Sequence, residues 1–390
     1  MSDVGDDTAS PPKLLSPRFL RITAANFCFF MTFATFFLLP VRIRELGGTD
    51  SQVGLVMGLN GVSGLAGVFL VGALIDRFGC RVFLRIGLLG MAASALAFSQ
   101  VDRVGPSMML LRALQGLAFA AGFNATSTLA AAFAPPERRA AALGLFGVST
   151  LTTHALAPTI GEQVAQAFGF PFLFALAACF ASLGAAIGWT LPDTGRRHER
   201  GAEAPLRRPL SSALRAVLLA TGLCGVAFGS VMTFTPTFAL DEHLGPVATF
   251  FLSYTSAAIA IRLWAGRVAD EVGLRRMILP SMTGLSIAIL GLAAVHARPG
   301  FAMAGIAFGL AQGVVYPTLN AFTVGLAAEG DLGRVQSAFN GCFNIGVTSG
   351  SLALGPVVHA FGHRATFAIA AGTALLATAV FARASRPPGA

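Results

Sequence analysis

Charge is scarce in this chain of 390 residues. Charged side chains make up 12% of it, Lys13 is its one lysine, and hydrophobic residues make up 55%. A soluble domain carries about 25% charged residues, so this chain could not cover a globule with polar surface. Apolar stretches of about 20 residues, long enough to cross about 30 Å of hydrocarbon, recur along it. Its composition and its mean hydropathy of +0.72 therefore indicate a protein whose surface faces lipid.

Motifs of soluble catalysis are also missing. The sequence has no phosphate-binding loop and no Cys-x-x-Cys pair, which argues against ATP as an energy source and against a metal site. The five cysteines are scattered, and we interpret them as packing residues. The net charge of +9 is not gathered into a patch, so nucleic acid is not an expected partner. We expect no enzyme activity and no cofactor.

Twelve apolar stretches predict twelve transmembrane helices, because only helices satisfy the backbone in lipid at this length. The predicted spans are 19–41, 51–76, 81–100, 106–134, 139–168, 170–191, 213–240, 245–270, 277–297, 299–327, 335–362 and 364–384. They predict a six-helix bundle over 19–191 and a second one over 213–384. The basic segment 192–212 is rich in Arg, Pro and Gly and is interpreted as a cytoplasmic linker. Residues 1–18 and 385–390 are predicted to be cytoplasmic tails, the first of them disordered.

The basic residues also predict the orientation. With the predicted spans, those on the side of the two termini outnumber those on the other side by about four to one. Because positive loops stay in the cytoplasm, both termini are predicted to be cytoplasmic, in a multi-pass protein of the cytoplasmic membrane.

One ten-residue pattern occurs twice. Residues 72–81 and 266–275 share Gly, Asp, Gly and Arg at matching places, and each copy ends an apolar stretch. The two copies lie 194 positions apart, about half of the chain, which indicates an internal repeat. The second span also carries glycines at helical spacing, which predict close helix packing: Gly54, Gly58, Gly61, Gly64 and Gly67.

These features resemble the major facilitator superfamily over residues 19–384. The first copy is similar to the family's loop signature at six positions and departs from it at Val82; the six are Gly72, Leu74, Asp76, Arg77, Gly79 and Arg81. Arg112-x-x-Gln115-Gly116 resembles a second family motif. Ala157-Pro158-x-x-Gly161-Glu162 resembles the family's antiporter pattern but lacks both outer glycines. The resemblance implies an all-α membrane protein with twelve helices in two pseudo-symmetric six-helix bundles, and transport by alternating access.

The repeated loop is predicted to close the cytoplasmic side. A carboxylate there could accept hydrogen bonds from the free N–H groups at a helix start: Asp76 at the eleventh span, Asp270 at the fifth. The alternative is that the arginines only set topology. The residues assigned to this cytoplasmic gate are Gly72, Asp76, Arg77, Gly79, Arg81, Gly266, Asp270, Gly273 and Arg275.

Two charges inside predicted spans suggest a proton site. Arg112 and Glu162 lie at similar distances from the turn between the fourth and fifth spans, which predicts an ion pair at similar depth. Protonation of Glu162 would change the charge in the cavity, and His154 shares its helix face. The alternatives are a static pair that fixes packing, and a histidine that only packs.

A third charge, Arg262, lies about 12 Å into the membrane from Asp270. Its place resembles that of an arginine in the superfamily's carboxylate transporters, which implies binding of a substrate anion; guanidinium can donate two parallel hydrogen bonds to a carboxylate. The alternative is a structural role. Polar residues within the spans are assigned to the same substrate cavity: Asn26, Asn124, Gln312, Tyr316, Asn320 and Asn344.

The sequence thus predicts a secondary transporter for a small organic solute, with proton-coupled export as the first choice. Uptake or exchange of a small carboxylate bound by Arg262 is the second. A receptor that has lost transport is the third. The expected partners are the bilayer, the solute and protons, and we expect a monomer.

Overall fold

The computed structural model describes residues 16–135, 138–192, 210–328 and 331–384, which are helical except for short turns. The first half contains α1 (Pro17–Thr35), a 3-10 turn (Phe36–Leu38), α2 (Leu39–Glu45), α3 (Asp50–Phe78), α4 (Cys80–Phe98), α5 (Pro106–Phe133), α6 (Arg139–Phe168) and α7 (Phe170–Trp189). The second half contains α8 (Ser212–Asp241), α9 (Val247–Val272), α10 (Leu274–Ala293), α11 (Arg298–Gly325) and α12 (Leu332–Ala384).

Within the described residues these helices form twelve membrane spans. The first span, Pro17–Glu45, combines α1, the 3-10 turn and α2. The last two are both in α12, which Gly362 interrupts with a φ of +81°. By length and composition, nine stretches of the described chain could cross a membrane; the last of them holds the two spans of α12, and α3 and α6 complete the twelve.

The prediction of twelve helices is confirmed, with boundaries that differ by a few residues. The fifth span was predicted at 139–168 and is Arg139–Phe168, whereas the eighth was predicted at 245–270 and is Val247–Val272. Nearly all of the tail 1–18, most of the linker 192–212 and the tail 385–390 lie outside the described residues. The assignments of those three segments stay predictions.

The internal repeat is visible in the backbone. Gly79 and Gly273 end the second span of each half with a φ of +88°, and ψ values of 151° and 142°. Only glycine adopts this region readily. Gly169 and Gly362 make the corresponding turn after the fifth span of each half, at φ +85° and +81°. The second glycine of each loop motif therefore reverses the chain between two spans.

Among the residues that the structure describes, the two bundles touch in one half of the membrane thickness. We call the side where α1 begins and α12 ends the terminal side, and the side where α2 and α8 end the far side. In the far half α3 packs on α12 and α6 packs on α9. A methyl group at Gly54 would lie 2.5 Å from the carbonyl oxygen of Ser351 and 2.9 Å from Cα of Gly355. The ring of Phe37 stacks on Phe251 with centroids 5.2 Å apart.

The buried core has the same division. One core cluster fills the second bundle and continues into the far half of the first, and a separate cluster fills the terminal half of the first. On α12, Thr348 and Ser351 are buried, but Asn344 on the same helix face is exposed. On α6, Gly144 and Gly147 share a face with His154, and a methyl group added at either glycine would meet no described residue of another helix within 4 Å. A cavity between the bundles therefore opens toward the terminal side.

Candidate functional site

The centre of the cavity holds Arg262, near the middle of α9. Its side chain is half-buried, and its Nε donates to the carbonyl oxygen of Gly313 on α11 at 3.3 Å. Its two terminal nitrogens make no hydrogen bond or ion pair with the described residues. An ionised group inside a membrane is costly unless it is paired or hydrated. Arg262 is thus a cation with free donors that face the space between the bundles.

His154 on α6 brings the first bundle close to this cation. Its ring lies 5.1 Å from that of Phe37, edge to face, and 6.5 Å from that of Tyr254. Its Nδ1 is buried without a hydrogen-bond partner. Arg262 interacts electrostatically with His154 and with the phenols of Tyr254 and Tyr316. Histidine and arginine from opposite bundles therefore share one region of the cavity, an arrangement that the sequence did not reveal.

Polar side chains of α11 and α12 form one wall of the cavity. Tyr316 donates its hydroxyl hydrogen to Oδ1 of Asn340 at 3.1 Å, and Asn344 donates to the backbone of Asn340 at 2.8 Å. Asn320 is half-buried. Gln312 is 4% exposed, and its Oε1 has no partner. The structure thus places Tyr316 and Asn344 beside the cavity and buries Gln312 behind it.

Aromatic side chains of α1 and α5 form the opposite wall. Leu110 and Leu114 are 61% and 49% exposed on the lipid face of α5. Phe119 and Phe123 each follow one of these leucines by nine residues, about two and a half helical turns, and so lie on the opposite face of α5. Both therefore face the cavity, and Phe123 is still 38% exposed. Their rings stack at 5.6 Å, and Phe33 lies 4.5 Å from Phe119.

Two of the asparagines assigned to the substrate cavity make contacts within their own bundle. Asn26 is fully buried and donates to the hydroxyl of Thr150 on α6 at 2.7 Å, which joins α1 to α6. Asn124 donates to the carbonyl oxygen of Ala120 in its own helix at 2.8 Å. Their place in a substrate site stays a prediction.

The predicted Arg112–Glu162 ion pair is wrong for this structure. Arg112 is 3% exposed and donates to Gln115, to the carbonyl oxygen of Val56 and to Sδ of Met57. Its guanidinium also lies over the ring of Phe36, 5.3 Å from the centroid. These contacts tie α5 to α3 and to the 3-10 turn of the first span, all within the first bundle. Equal distance from a turn predicted equal depth, but it did not predict which way each helix face points.

Glu162 instead reaches the second bundle. Its two carboxylate oxygens accept from the backbone N–H groups of Val247 and Ala248 at 3.0 and 2.8 Å. These groups lie at the first residues of α9, where N–H donors are free and the helix dipole is positive. A cavity of about 230 Å³ opens beside this contact, lined in part by Glu45, Gln166 and Phe170. Glu162 is thus a bundle-to-bundle contact of the far half.

The cytoplasmic-gate residues lie at the terminal side, where the bundles are apart. Arg77 lies over the ring of Phe78, and Arg81 donates to the carbonyl oxygen of Trp189 at 2.7 Å within the first bundle. Arg275 interacts with other residues of the protein. Four other gate residues lie outside the part of the structure in which side chains are described: Gly72, Asp76, Gly266 and Asp270. Their role in a gate stays a prediction.

Comparison with known sequences places the whole chain in one group. A model of the Major Facilitator Superfamily matches residues 22–264 and 246–390. The staphylopine export protein of Staphylococcus aureus is 23% identical over 363 residues, which cover 89% of this chain and 90% of that protein. The multidrug resistance protein MdtG of Salmonella paratyphi A is 26% identical over 379 residues, 91% of this chain and 90% of the relative.

Solved structures share the fold over nearly the full length. The nucleoside transporter NupG is 13% identical with a TM-score of 0.77, over 95% of this chain and 100% of that chain. The human organic anion transporter MFSD10 is 17% identical with a TM-score of 0.71, over 94% of this chain and 100% of the other. At these identities the likeness concerns the fold.

Proposed function

This chain belongs to the Major Facilitator Superfamily, a family of multi-pass membrane transporters and not of enzymes, and on that premise we propose that it exports a small amphiphilic organic anion. The observation that carries the proposal is the pair of terminal nitrogens of Arg262 in the cavity, which have no partner among the described residues.

The described cavity wall favours an anion over a cation. Arg262 has free donors in a fork that matches a carboxylate, whereas the carboxylate of Glu162 on α6 is already engaged at the start of α9. An organic cation would find no free negative partner among these side chains. An anion would neutralise a charge that is otherwise expensive at this depth.

The opposite wall favours an apolar or aromatic body on that anion. Phe119 and Phe123 form a stacked pair on the cavity side of α5, and Phe123 is 38% exposed. Burial of apolar surface contributes about 25 cal/mol per Å². With the charged end at Arg262 and the apolar end on this aromatic pair, the solute would contact both bundles. Contact with both is what couples binding to the relative movement of the bundles.

The direction is inferred from orientation and from the relatives. We place the terminal side in the cytoplasm, because basic residues on that side predominate about four to one. The open cavity would then load from inside. Two relatives carry names of an export protein and a multidrug resistance protein. An anion that leaves a cell with a negative interior gains about 2.3 kcal/mol per charge for each 100 mV.

Proton coupling depends on His154. A proton on this ring would add positive charge beside Arg262 and so would raise affinity for an anion. Proton and anion would therefore bind together, which favours symport and not exchange. This gives a second candidate function, uptake of a carboxylate with a proton, supported by the proximity of His154 to Arg262.

Binding is tested by thermal unfolding of the purified full chain with phenylbutyrate and, for comparison, phenylbutylammonium. A ligand that binds the native state raises Tm. We expect a shift with the anion only, loss of the shift in Arg262→Ala and a weakened shift in Arg262→Lys. Arg276→Ala, an exposed arginine outside the cavity, is the control. A larger shift with the ammonium compound would contradict the proposal.

Direction is tested in proteoliposomes loaded with labelled phenylbutyrate. For protein whose termini face the lumen, export predicts that an imposed potential, negative inside, drives the label out through the protein. Acid on the far side, with no potential, should drive accumulation on the terminal side only if the second candidate is right. Transport of the label in neither experiment, despite binding, would favour a receptor.

A further inference from the structure

Four charged or titratable side chains meet at the far side of the interface between the bundles. Arg44 and Asp50 come from the end of α2 and the start of α3. Asp241 ends α8, and His363 follows the turn at Gly362 in α12. The first two belong to one bundle and the last two to the other. We call this group the far-side charge cluster.

The cluster is joined across the interface by Arg44. Its Nη2 donates to both carboxylate oxygens of Asp241, at 3.0 and 3.3 Å. Its Nη1 lies 3.6 Å from Oδ2 of Asp50 in its own bundle. Arg44 and Asp241 are about one-third exposed, whereas Asp50 and His363 are nearly buried. The exposed half of the cluster alone would bind weakly, because water screens it.

His363 occupies the buried half, between the two carboxylates. Its Nδ1 lies 3.6 Å from Oδ2 of Asp241, and its Nε2 lies 3.9 Å from Oδ1 of Asp50. That oxygen of Asp50 is buried and has no hydrogen-bond partner. An unpaired carboxylate oxygen in such a place is destabilising, and a nearby cation would relieve it.

Hydrogen bonding assigns the proton of the neutral ring. Nε2 of His363 lies 2.8 Å from the hydroxyl oxygen of Thr237. That hydroxyl donates its own hydrogen to the carbonyl oxygen of Phe234 at 3.1 Å, so Nε2 is the donor to Thr237. The neutral ring then turns the lone pair of Nδ1 toward the carboxylate of Asp241. A second proton on Nδ1 replaces this repulsion with an attraction.

The net charge of the cluster points the same way. Two carboxylates face one guanidinium, which leaves one unbalanced negative charge when His363 is neutral and none when it is protonated. The other groups near His363 are the ring of Phe238 at 5.8 Å and the pair of Glu242 with Arg364, which also contacts His296. That pair is neutral overall and lies within the second bundle.

We propose that Arg44, Asp50, Asp241 and His363 form the gate that closes the far side, and that protonation of His363 strengthens it. Acid on the far side then favours the state whose cavity opens to the terminal side. If the terminal side is cytoplasmic, external acid returns the transporter to its loading state. The gate itself does not depend on which solute is carried.

The test measures the far-side distance between the bundles without any solute. Spin labels are attached at Asp102→Cys and Ala297→Cys, two exposed loop positions on the far side of opposite bundles, with Cys179→Ser to remove the exposed native cysteine. Distance distributions are recorded at about pH 8, 5.5 and 4.5, a range that extends well below the ordinary histidine pKa because His363 is nearly buried. We expect the short-distance population to rise relative to the long one by roughly threefold or more, the size of a modest ion-pair gain.

Two variants assign that shift to the cluster. His363→Asn should abolish it, and His243→Asn, a far-side histidine outside the cluster, should keep it. Asp50→Asn removes the unbalanced charge, so it should raise the short-distance population at about pH 8 and reduce the shift. A full shift in His363→Asn, a shift that instead disappears in His154→Gln, or an opening in acid would each overturn the proposal. Asp50→Asn decides the case if His363→Asn does not fold.

Discussion

The two halves of the interface between the bundles differ in what fills them. In the far half, backbone meets backbone at Gly54, a carboxylate meets a helix start at Glu162, and Arg44 crosses to Asp241. In the terminal half, the faces that would meet carry Asn344, Gly147 and the aromatic pair on α5, and they are apart. One face of α12 passes through both halves, so among the described residues the part of α12 before Gly362 contacts the other bundle at its far end and is separate from it at its terminal end.

This difference indicates which contacts determine the equilibrium between the state open to the terminal side and the state open to the far side. Contacts of the far half exist only when the far side is closed, so each of them stabilises the state with a cavity open to the terminal side. Contacts that would close the terminal side belong to the other state. Changes in the far half should therefore shift the equilibrium between states, while changes in the cavity should act on the solute.

The largest effect is expected from Gly54→Val. The added side chain meets the backbone of Ser351 and Gly355, which cannot turn away as a side chain could. Overpacking of this kind costs about 1–3 kcal/mol, which would shift the two states by roughly fivefold to hundredfold. Spin labels at Asp102→Cys and Ala297→Cys should report a longer far-side distance.

Gly147→Val is the matched control, because Gly147 lies on the cavity face of α6 in the open half and has no atom nearby. It should leave the far-side distance unchanged in this state and slow transport by hindering closure of the terminal side. If both variants open the far side equally, the division of the interface into two halves is wrong.

A smaller shift is expected from Glu162→Gln. The amide keeps one acceptor for the N–H groups of Val247 and Ala248 but loses the second acceptor and the negative charge at a helix start. We expect a loss of about 1–2 kcal/mol in the far-closed state, seen as a longer distance with the same labels. Glu45→Gln, on the same small cavity but paired with Arg42 of its own helix, should have no such effect. An unchanged distance in Glu162→Gln would mean that the contact does not contribute to closure.

The cavity should respond differently from the gate. Phe123→Ala removes a ring that is exposed to the cavity and should weaken binding of phenylbutyrate about fivefold, the value of about 1 kcal/mol of apolar contact. Acetate, which has no apolar body, should be unaffected by the change. Leu114→Ala on the lipid face serves as control. A shift in the far-side distance, without a change in affinity, would place Phe123 in the gate instead of the solute site.

The fold could be predicted from the sequence because it depends on two strong regularities. Apolar stretches of spanning length gave the helices, and the copies at Gly79 and Gly273 gave the repeat, since a turn at a φ of +88° requires glycine in both. The glycines of α3 predicted close helix packing. Gly54 and Gly61 pack closely against α12, and Gly67 packs closely against α5. Arg262 was identified because a charge within a span is rare enough to stand out.

The far-side charge cluster could not be predicted in the same way. Arg44, Asp50, Asp241 and His363 are drawn from distant parts of the sequence, and each sits next to a turn, where charge is ordinary. The partners of Glu162 are two backbone N–H groups of α9, and a backbone partner cannot be recognised from a pattern of side chains. The predicted pair of Arg112 and Glu162 rested only on their equal depth in the membrane. The direction in which each side chain points depends on how the helices pack, and the sequence pattern does not contain that information.

The smallest effect should come from a far-side ion pair that stays within one bundle. Arg364 donates to both oxygens of Glu242, and this hydrogen bonding holds the pKa of Glu242 below its usual range. A lowered carboxyl pKa gives stability that is present above the unfolded value of about 4.3 and is lost as pH falls through the folded value.

Because both side chains are about one-third exposed, Glu242→Gln should lower the free energy of unfolding by less than about 1 kcal/mol. Thermal unfolding at about pH 7 should show this small loss, and at about pH 3 the variant and the parent should converge. The far-side distance should not change, because both side chains belong to the second bundle. A change as large as that of Glu162→Gln would show that location on the far side, and not contact across the interface, determines closure.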